Sequence, residues 1–487
     1  MLEEEIIKEK EIILNQYKKY APEVFKLFGL NMKVREYSDS LYQFKTQKEH
    51  LKRQDLIKQV IRKKIKNIFG ENVEKELKVN LSQGLSFNIA DHHQVLNNPL
   101  LLSSNIISSV SKIGCATKQD AIIVISSGDV PPNNYFSKNG FLFHNKRIPL
   151  FSNRETELCS YYVPKRDFNF IDKLKIADRW KDFNPQEKNF LLSEYKKISN
   201  YDYSKCNNYI DQITVIVKEM WPFLFEASLR KELPELLYLT QEEIVTECLI
   251  KILEQDNIIS KILFDDDLRS AVINNFRGIV VTWNEKEEKG THFFWRKYPN
   301  RSQSLRLYLE KEYLTPTDSR FKNLKIKLSR EEIIELLRKK EIYPSLFLIF
   351  MVLNFYSGVK PLVGYGSVTY LYLMKQAWGR TLNSLGYKEE EGLLNNIETN
   401  GLVAGIPIYF KRVEEKLKTL YAYDIIYEGG MKQEYLEKVF DMPIKDFFLT
   451  AISEMYDYYG PKYIPRAERI KSKINFDIMA ELIFKWV

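Results

Sequence analysis

The chain has 487 residues, 44% of them hydrophobic and 28% charged, with a net charge of +8. That balance excludes collagen-like, disordered and small disulfide-stapled classes, and a chain this long can bury a core without metal or disulfide support. Spread over the whole chain, the surplus charge is too small to point to nucleic acid.

Residues 1–80 read as N-terminal helices. Ile6, Ile7, Ile12, Ile13 and Leu14 set one apolar face, and residues 44–69 form a second helix with Ile57, Val60, Ile61, Ile65 and Ile68 on one side. Its other side is basic: nine Lys and Arg between Lys45 and Lys66 stand against Glu49 and Asp55, a local net charge of +7.

Leu85–Ala90 reads as a short strand, followed by the polar turn Asp91-His92-His93-Gln94. Asn98-Pro99 opens a helix that runs to about Ile113, and Ala121–Ser126 is a continuously apolar strand ending in Ser127-Gly128-Asp129. Strand, turn, helix and strand in this order mark a parallel sheet covered by helices. A hairpin follows, Phe141–His144 with Arg147–Phe151, turning at Asn145-Lys146.

Residues 81–166 are thus the first part of an α/β core, and 167–340 a mainly helical insertion with a β-rich patch near 278–309 (Gly278–Trp283, Thr291–Trp295 and Ser304–Leu309). Residues 341–411 hold the second part of the core, where Gly364-Tyr365-Gly366-Ser367 leads into a helix, and 412–487 form a mixed, largely helical end. The longest apolar run, Tyr343–Tyr356, is interrupted by Pro344, Ser345 and Asn354 and is shorter than the ~20 residues of a spanning helix, so a buried strand or core helix is expected and no membrane. Cys115, Cys159, Cys206 and Cys248 show no CxxC spacing, and the start Met1-Leu2-Glu3-Glu4-Glu5 is acidic; both fit a reduced, cytoplasmic chain.

Ligands of open α/β sheets bind beyond the carboxyl ends of the strands. The expected site therefore lies between the turns at 91–98, 128–134 and 364–370. His93 would contact a phosphate or oxyanion, and His92 or Asp91 would move or orient a proton. Gln94, Asn97 and Asn98 stand beside them, and a helix N-terminus there suits anions. Gly128 permits close backbone approach; Asp129, Asn133 and Asn134 would hold an amine or a ribose. Gly364 and Gly366, with Ser367, would bring backbone N–H groups to the ligand.

Two segments together resemble the cysteine-adding enzyme family of bacillithiol synthesis. His93-Gln94 with Pro99-Leu100 is similar to the family's first motif, and Gly364-Tyr365-Gly366-Ser367 with Tyr370 and Met374-Lys375 is similar to its second, with Ser367 in place of an acidic residue. Ile406-Pro407-Ile408 and Arg412 are similar to a later stretch. The resemblance implies a Rossmann-like core related to nucleotidylyltransferases, discontinuous in sequence, with a helical insertion. It also implies an enzyme that binds ATP or another nucleotide, or a phosphorylated small molecule, and joins an amine to an activated carboxylate.

Two alternatives stand beside this ligase or transferase reading. One is metal-dependent hydrolysis with a divalent metal near Asp91, His92, His93 and Asp129. The other is a non-catalytic RNA-binding or assembly protein using the basic helix 45–66.

Overall fold

The computed structural model describes residues 3–76, 84–114, 120–152, 155 and 157–487; Cys115 lies outside them. Its centre is a five-stranded, all-parallel sheet: β1 (Ser86–Asn88), β2 (Ala121–Ser126), β3 (Glu235–Thr240), β4 (Lys360–Gly364) and β5 (Gly401–Ala404). In space the order is 3-2-1-4-5. The chain winds outward from β1 to β3, then returns to the opposite side of β1 at β4. All six residues of β2 are buried, as expected of an apolar strand covered on both faces.

Helices cover the sheet. Residues Lys48–Phe69 form α1, whose Ile57, Ile61, Ile65 and Ile68 face the core at three- and four-residue spacing. Each such isoleucine contributes about 1.5–3 kcal/mol by leaving water. α2 (Pro99–Ile107) begins where the Asn98 side chain accepts from the Leu100 N–H and Pro99 takes the first helical position. α3 (Tyr209–Met220) packs on β3; α4 (Gln241–Ile252) starts directly at the end of β3 and packs on α1; α5 (Tyr365–Ser384) starts directly at the end of β4.

The expected α/β core, split in sequence, is present, with three differences of detail. Edge strand β3 lies inside the stretch read as helical insertion from 167. Its sequence ELLYLT has no alternation because both faces are covered, so periodicity could not separate it from the helices around it. Gly278–Trp283, read as β, is a turn in which Val281 takes a φ of 72°. The early hairpin turns one residue sooner, at His144-Asn145 (φ 46° and 58°), between Gly140–Phe143 and Lys146–Pro149.

The insertion also carries four strands of an antiparallel sheet, whose fifth, Ile342–Pro344, comes from the stretch read as the second part of the core; the spatial order is Ile342–Pro344, Phe294–Lys297, Ser304–Glu310, Tyr313–Pro316 and Ile326–Lys327. The apolar run after it is a buried helix, Leu346–Phe350, continuing as a π-helical turn over Met351–Tyr356. One contiguous hydrophobic core joins the N-terminal helices, both parts of the sheet and the C-terminal helices. Among the described residues no helix is long and apolar enough to cross a membrane.

Candidate functional site

Polar residues follow the ends of both β1 and β2, but the two ends differ. Past β1 the backbone stays extended and pairs onward with β2: the Ser127 N–H donates to the Asp91 carbonyl at 2.8 Å, and the His93 N–H to the Ser127 carbonyl at 2.7 Å. Neighbouring side chains of extended chain point to opposite faces. His92 and His93 therefore part, and they do not meet at one ligand as expected.

His93 has no exposed surface. Its Nε2–H donates to the Ile210 carbonyl at 2.9 Å, leaving Nδ1 to accept from Ser126 Oγ at 2.8 Å. Burial pushes it down to about 4, so it is neutral and has no nitrogen left for a phosphate. Asp91 is equally enclosed: Ser104 Oγ donates at 2.9 Å, Asn105 Nδ2 at 3.0 Å, and the Tyr238 hydroxyl bonds as well. Burial raises this carboxyl to about 6 against the pull of those hydrogen bonds. His92 Nδ1 pairs with Asn134 Oδ1 at 3.2 Å, its ring edge-on to Phe136, and burial pushes it down to about 4.

Gln94 donates to Ser160 Oγ and accepts from Tyr209; Asn97 bridges the Phe136 carbonyl and the Leu142 N–H; Asn98 caps α2. The space left beside Asp91, His92, Gln94, Asn97 and Asn98 is about 20 Å³, enough for one water but not a phosphate. The roles expected of Asp91, His92 and His93 in catalysis give way to one of joining β1 to α2, α3 and the 131–142 loop.

The end of β2 is open. Asp129 stands in the wall of a 770 Å³ cleft and also of an adjoining 400 Å³ cavity. Its position is set by the first turn of α4. Glu242 Oε2 accepts from the Gly128 N–H at 2.8 Å and Oε1 from the Asp129 N–H at 3.2 Å. Gln241 Nε2 donates to Ser127 Oγ at 2.9 Å, and Ser127 Oγ to Asp129 Oδ1 at 2.8 Å. Gly128 is required here: a Cβ would lie 2.9 Å from both Glu242 Oε2 and Thr240 Cγ2. Burial raises both carboxyls above the ordinary range, and the Asp129 charge raises Glu242 further.

The larger cleft runs between the parallel sheet, the 277–291 turn and the C-terminal helix Ile452–Tyr463. Arg277, Lys289 and Lys462 supply its cations, with Glu285 and Glu287 pairing the first two. Partial burial, and then Lys289 nearby, push Lys462 down to about 8; its ammonium sits over the Tyr458 ring. Val281, a β-branched residue at positive φ, also lines this cleft, an unusual conformation of the kind that gathers at ligand sites. The smaller cavity is walled by Asn133, Cys159, Ser304 and Tyr343, and Trp295 borders both. Ser304 Oγ and Tyr343 Oη are 3.0 Å apart. Burial pushes the Cys159 thiol up to about 12, too high for a thiolate nucleophile at neutral pH.

The glycine turn does not reach this cleft. A Cβ on Gly366 would lie 2.8 Å from the Tyr458 ring, so the space it frees is taken by protein. Gly364 is the N-cap of α5, and Ser367 Oγ bonds Tyr370 Oη at 2.6 Å, with Tyr370 buried. Arg412 lies on the Phe410–Val413 hairpin strand, bound to Glu481 and to the Glu415 and Val487 carbonyls. Of the residues read from sequence, Asp129 and Asn133 come together at a cavity, with Gly128 behind them.

Sequence alone does not mark Glu242, Lys289, Lys462, Trp295 or Tyr343 as site residues. The signal for Glu242 was present, since Gln241-Glu242-Glu243 follows a strand end, but that strand was hidden. The others come from segments far away in sequence. No group of three or more His, Cys, Asp or Glu among the described residues could hold a metal ion.

The basic face of α1 meets acidic residues from other elements: Arg53 with Glu390 at 2.7 Å, Lys63 with Glu247 at 2.9 Å, and Lys64 with Asp211 at 2.7 Å. Compared with known families, curated proteins and solved structures, the chain matches none.

Proposed function

We propose that the chain is an intracellular group-transfer enzyme whose Rossmann-like core binds a nucleotide or other phosphorylated small molecule in the cleft at Asp129. The observation that carries this reading is that Asp129, at the carboxyl end of β2, walls two adjoining cavities of unequal size. That arrangement suits a two-substrate reaction. The phosphorylated donor lies in the larger cleft beside Lys462 and Lys289, where an anion relieves the repulsion between two crowded ammonium groups. The acceptor lies in the smaller cavity.

Asp129 takes the proton from the acceptor as its nitrogen or oxygen attacks the activated group, and the phosphate leaves toward the lysines. A carboxyl raised by burial suits a general base working near neutral pH. Strand order 3-2-1-4-5 supports the Rossmann-like description. Joining an amine to an activated carboxylate is the particular transfer suggested by the family resemblance, which is analogy and not site geometry. The RNA-binding alternative is weakened by the acidic partners along α1.

Thermal unfolding against ATP, ADP and AMP tests the reading. A ligand that binds only the native state raises the midpoint. The expected result is a rise with a nucleotide that Lys462→Ala and Lys289→Ala together abolish and Asn133→Ala leaves in place. No rise with any of the three, or one that the double variant keeps, overturns the nucleotide site.

A further inference from the structure

The smaller cavity at Asp129 carries charge of one sign. Among the described residues its walls hold two acids, Asp129 and Glu157, and no Lys, Arg or His. A third acid, Glu242, lies directly behind Asp129 and accepts from its N–H at 3.2 Å. None of the three forms an ion pair among the described residues, although buried charges are as a rule paired. Glu243, the next residue along α4, shows the usual arrangement: Lys64 holds it at 2.6 Å and Lys340 at 3.2 Å. At Asp129 and Glu242 no cation offsets burial, and both carboxyls are raised.

The rest of the wall also suits a ligand that donates. Ser127 Oγ donates to Asp129 Oδ1 at 2.8 Å, and no side chain among the described residues donates to Oδ2. Asn133 and Ser304 add further oxygens that can accept. The Trp295 indole lines the same cavity, and indole is the best aromatic partner for a cation. Asp129 is half-buried and Glu157 exposed, so the two acids of the wall stand at different depths. At about 400 Å³ the cavity has room for a chain of several carbons with a charge at each end.

We propose that the smaller cavity binds a linear aliphatic diamine, with one ammonium on Asp129 Oδ2, the methylenes against Trp295 and Leu158, and the second ammonium on Glu157 at the mouth. As the identity of the acceptor, this rests on the two-substrate reading above; as a binding site, it is tested without nucleotide.

The full chain is titrated with putrescine by calorimetry, with n-butylamine, 1,4-butanediol and magnesium chloride in parallel. Putrescine is expected to bind and to raise the unfolding midpoint. n-Butylamine, with one charge fewer, should bind about three-fold more weakly, and 1,4-butanediol should give no heat. Asp129→Asn should weaken putrescine about ten-fold or more, the loss of a charge-assisted hydrogen bond. Glu157→Gln, at an exposed position where the fold is not at stake, should weaken it about three-fold. Lys462→Ala, in the larger cleft, should leave it unchanged.

Four results would overturn the proposal: no heat with putrescine; 1,4-butanediol binding as tightly as putrescine; full affinity kept by Asp129→Asn; or displacement of putrescine by equimolar magnesium, which would make the acids a metal site. Putrescine binding without any nucleotide-dependent rise would sustain the diamine site and remove the nucleotide site, and a nucleotide-dependent rise without putrescine binding would do the opposite.

Discussion

The ends of β1 and β2 lie side by side in one sheet, and each is followed by polar residues that sequence reasoning marks as functional. At β1 the donors and acceptors of Asp91 and His93 meet protein partners, and the free space is about 20 Å³. At β2 Asp129 is steered by Ser127 and Glu242 and opens on cavities of 770 and 400 Å³. An aspartate beyond the strand end is common to both. What separates a structural cluster from a candidate site is whether neighbouring side chains have used up its hydrogen-bonding capacity.

This contrast can be broken most sharply at His93. His93→Ala leaves a cavity and unpairs a buried carbonyl and hydroxyl, so it should cost about 3–5 kcal/mol of stability, read by denaturant unfolding. A midpoint equal to wild type would free His93 for chemistry and erase the distinction.

The next effect is on pH. His92, His93 and His292 are each pushed down to about 4 by burial, while an unfolded histidine titrates near 6.5. Between those values the unfolded chain binds more protons, so stability rises with pH. The histidine contribution is complete above about 6.5 and is lost as pH falls toward 4. For His93 alone it is about 3 kcal/mol. Asp91, raised to about 6, acts in the opposite sense over part of that window, favouring the folded state as it protonates. His93→Gln should lower the slope of stability against pH between 4.5 and 6.5 by about one proton, roughly 1.4 kcal/mol per pH unit; an unchanged slope would mean that this ring does not titrate on unfolding.

Glu242→Gln should cost about 1–2 kcal/mol, because an amide nitrogen would face one of the two backbone N–H groups that the carboxylate now accepts. Asp129→Asn, by contrast, should change stability by less than about 1 kcal/mol while lowering the proposed group transfer about 100-fold or more. Loss of fold rather than turnover would make the β2 end as structural as the β1 end. Arg412→Ala, on an exposed hairpin, should stay within about 0.5 kcal/mol.

The parts of the fold that were legible have a local cause. AIIVIS is apolar up to Ser126 and bounded by turns, and Asn98-Pro99 is a helix start, so β2 and the beginning of α2 stand at their expected places, while α2 ends at Ile107, short of the expected Ile113. ELLYLT was not legible because Glu and Leu favour helix and a strand buried on both faces has no alternation. Gly278–Trp283 shows the reverse: its β-branched run favours strand, yet among the described residues no strand pairs with it. At the site, Asp129 could be read from its place after β2. Lys462 and Trp295 could not, since only tertiary packing brings the C-terminal helix and the antiparallel sheet to that cleft.

The split of the parallel sheet has a consequence during synthesis. β1, β2 and β3 have all been synthesised by Thr240, but β4, the partner for the other edge of β1, begins only at Lys360. At roughly 5–20 residues per second, the backbone donors and acceptors along that edge wait on the order of ten seconds for their strand. An open strand edge is a template for pairing with another chain. The nascent protein is therefore most exposed to misassembly while its insertion is being made, and a chaperone that shields Ser86–Asn88 over that interval should raise the yield of folded chain.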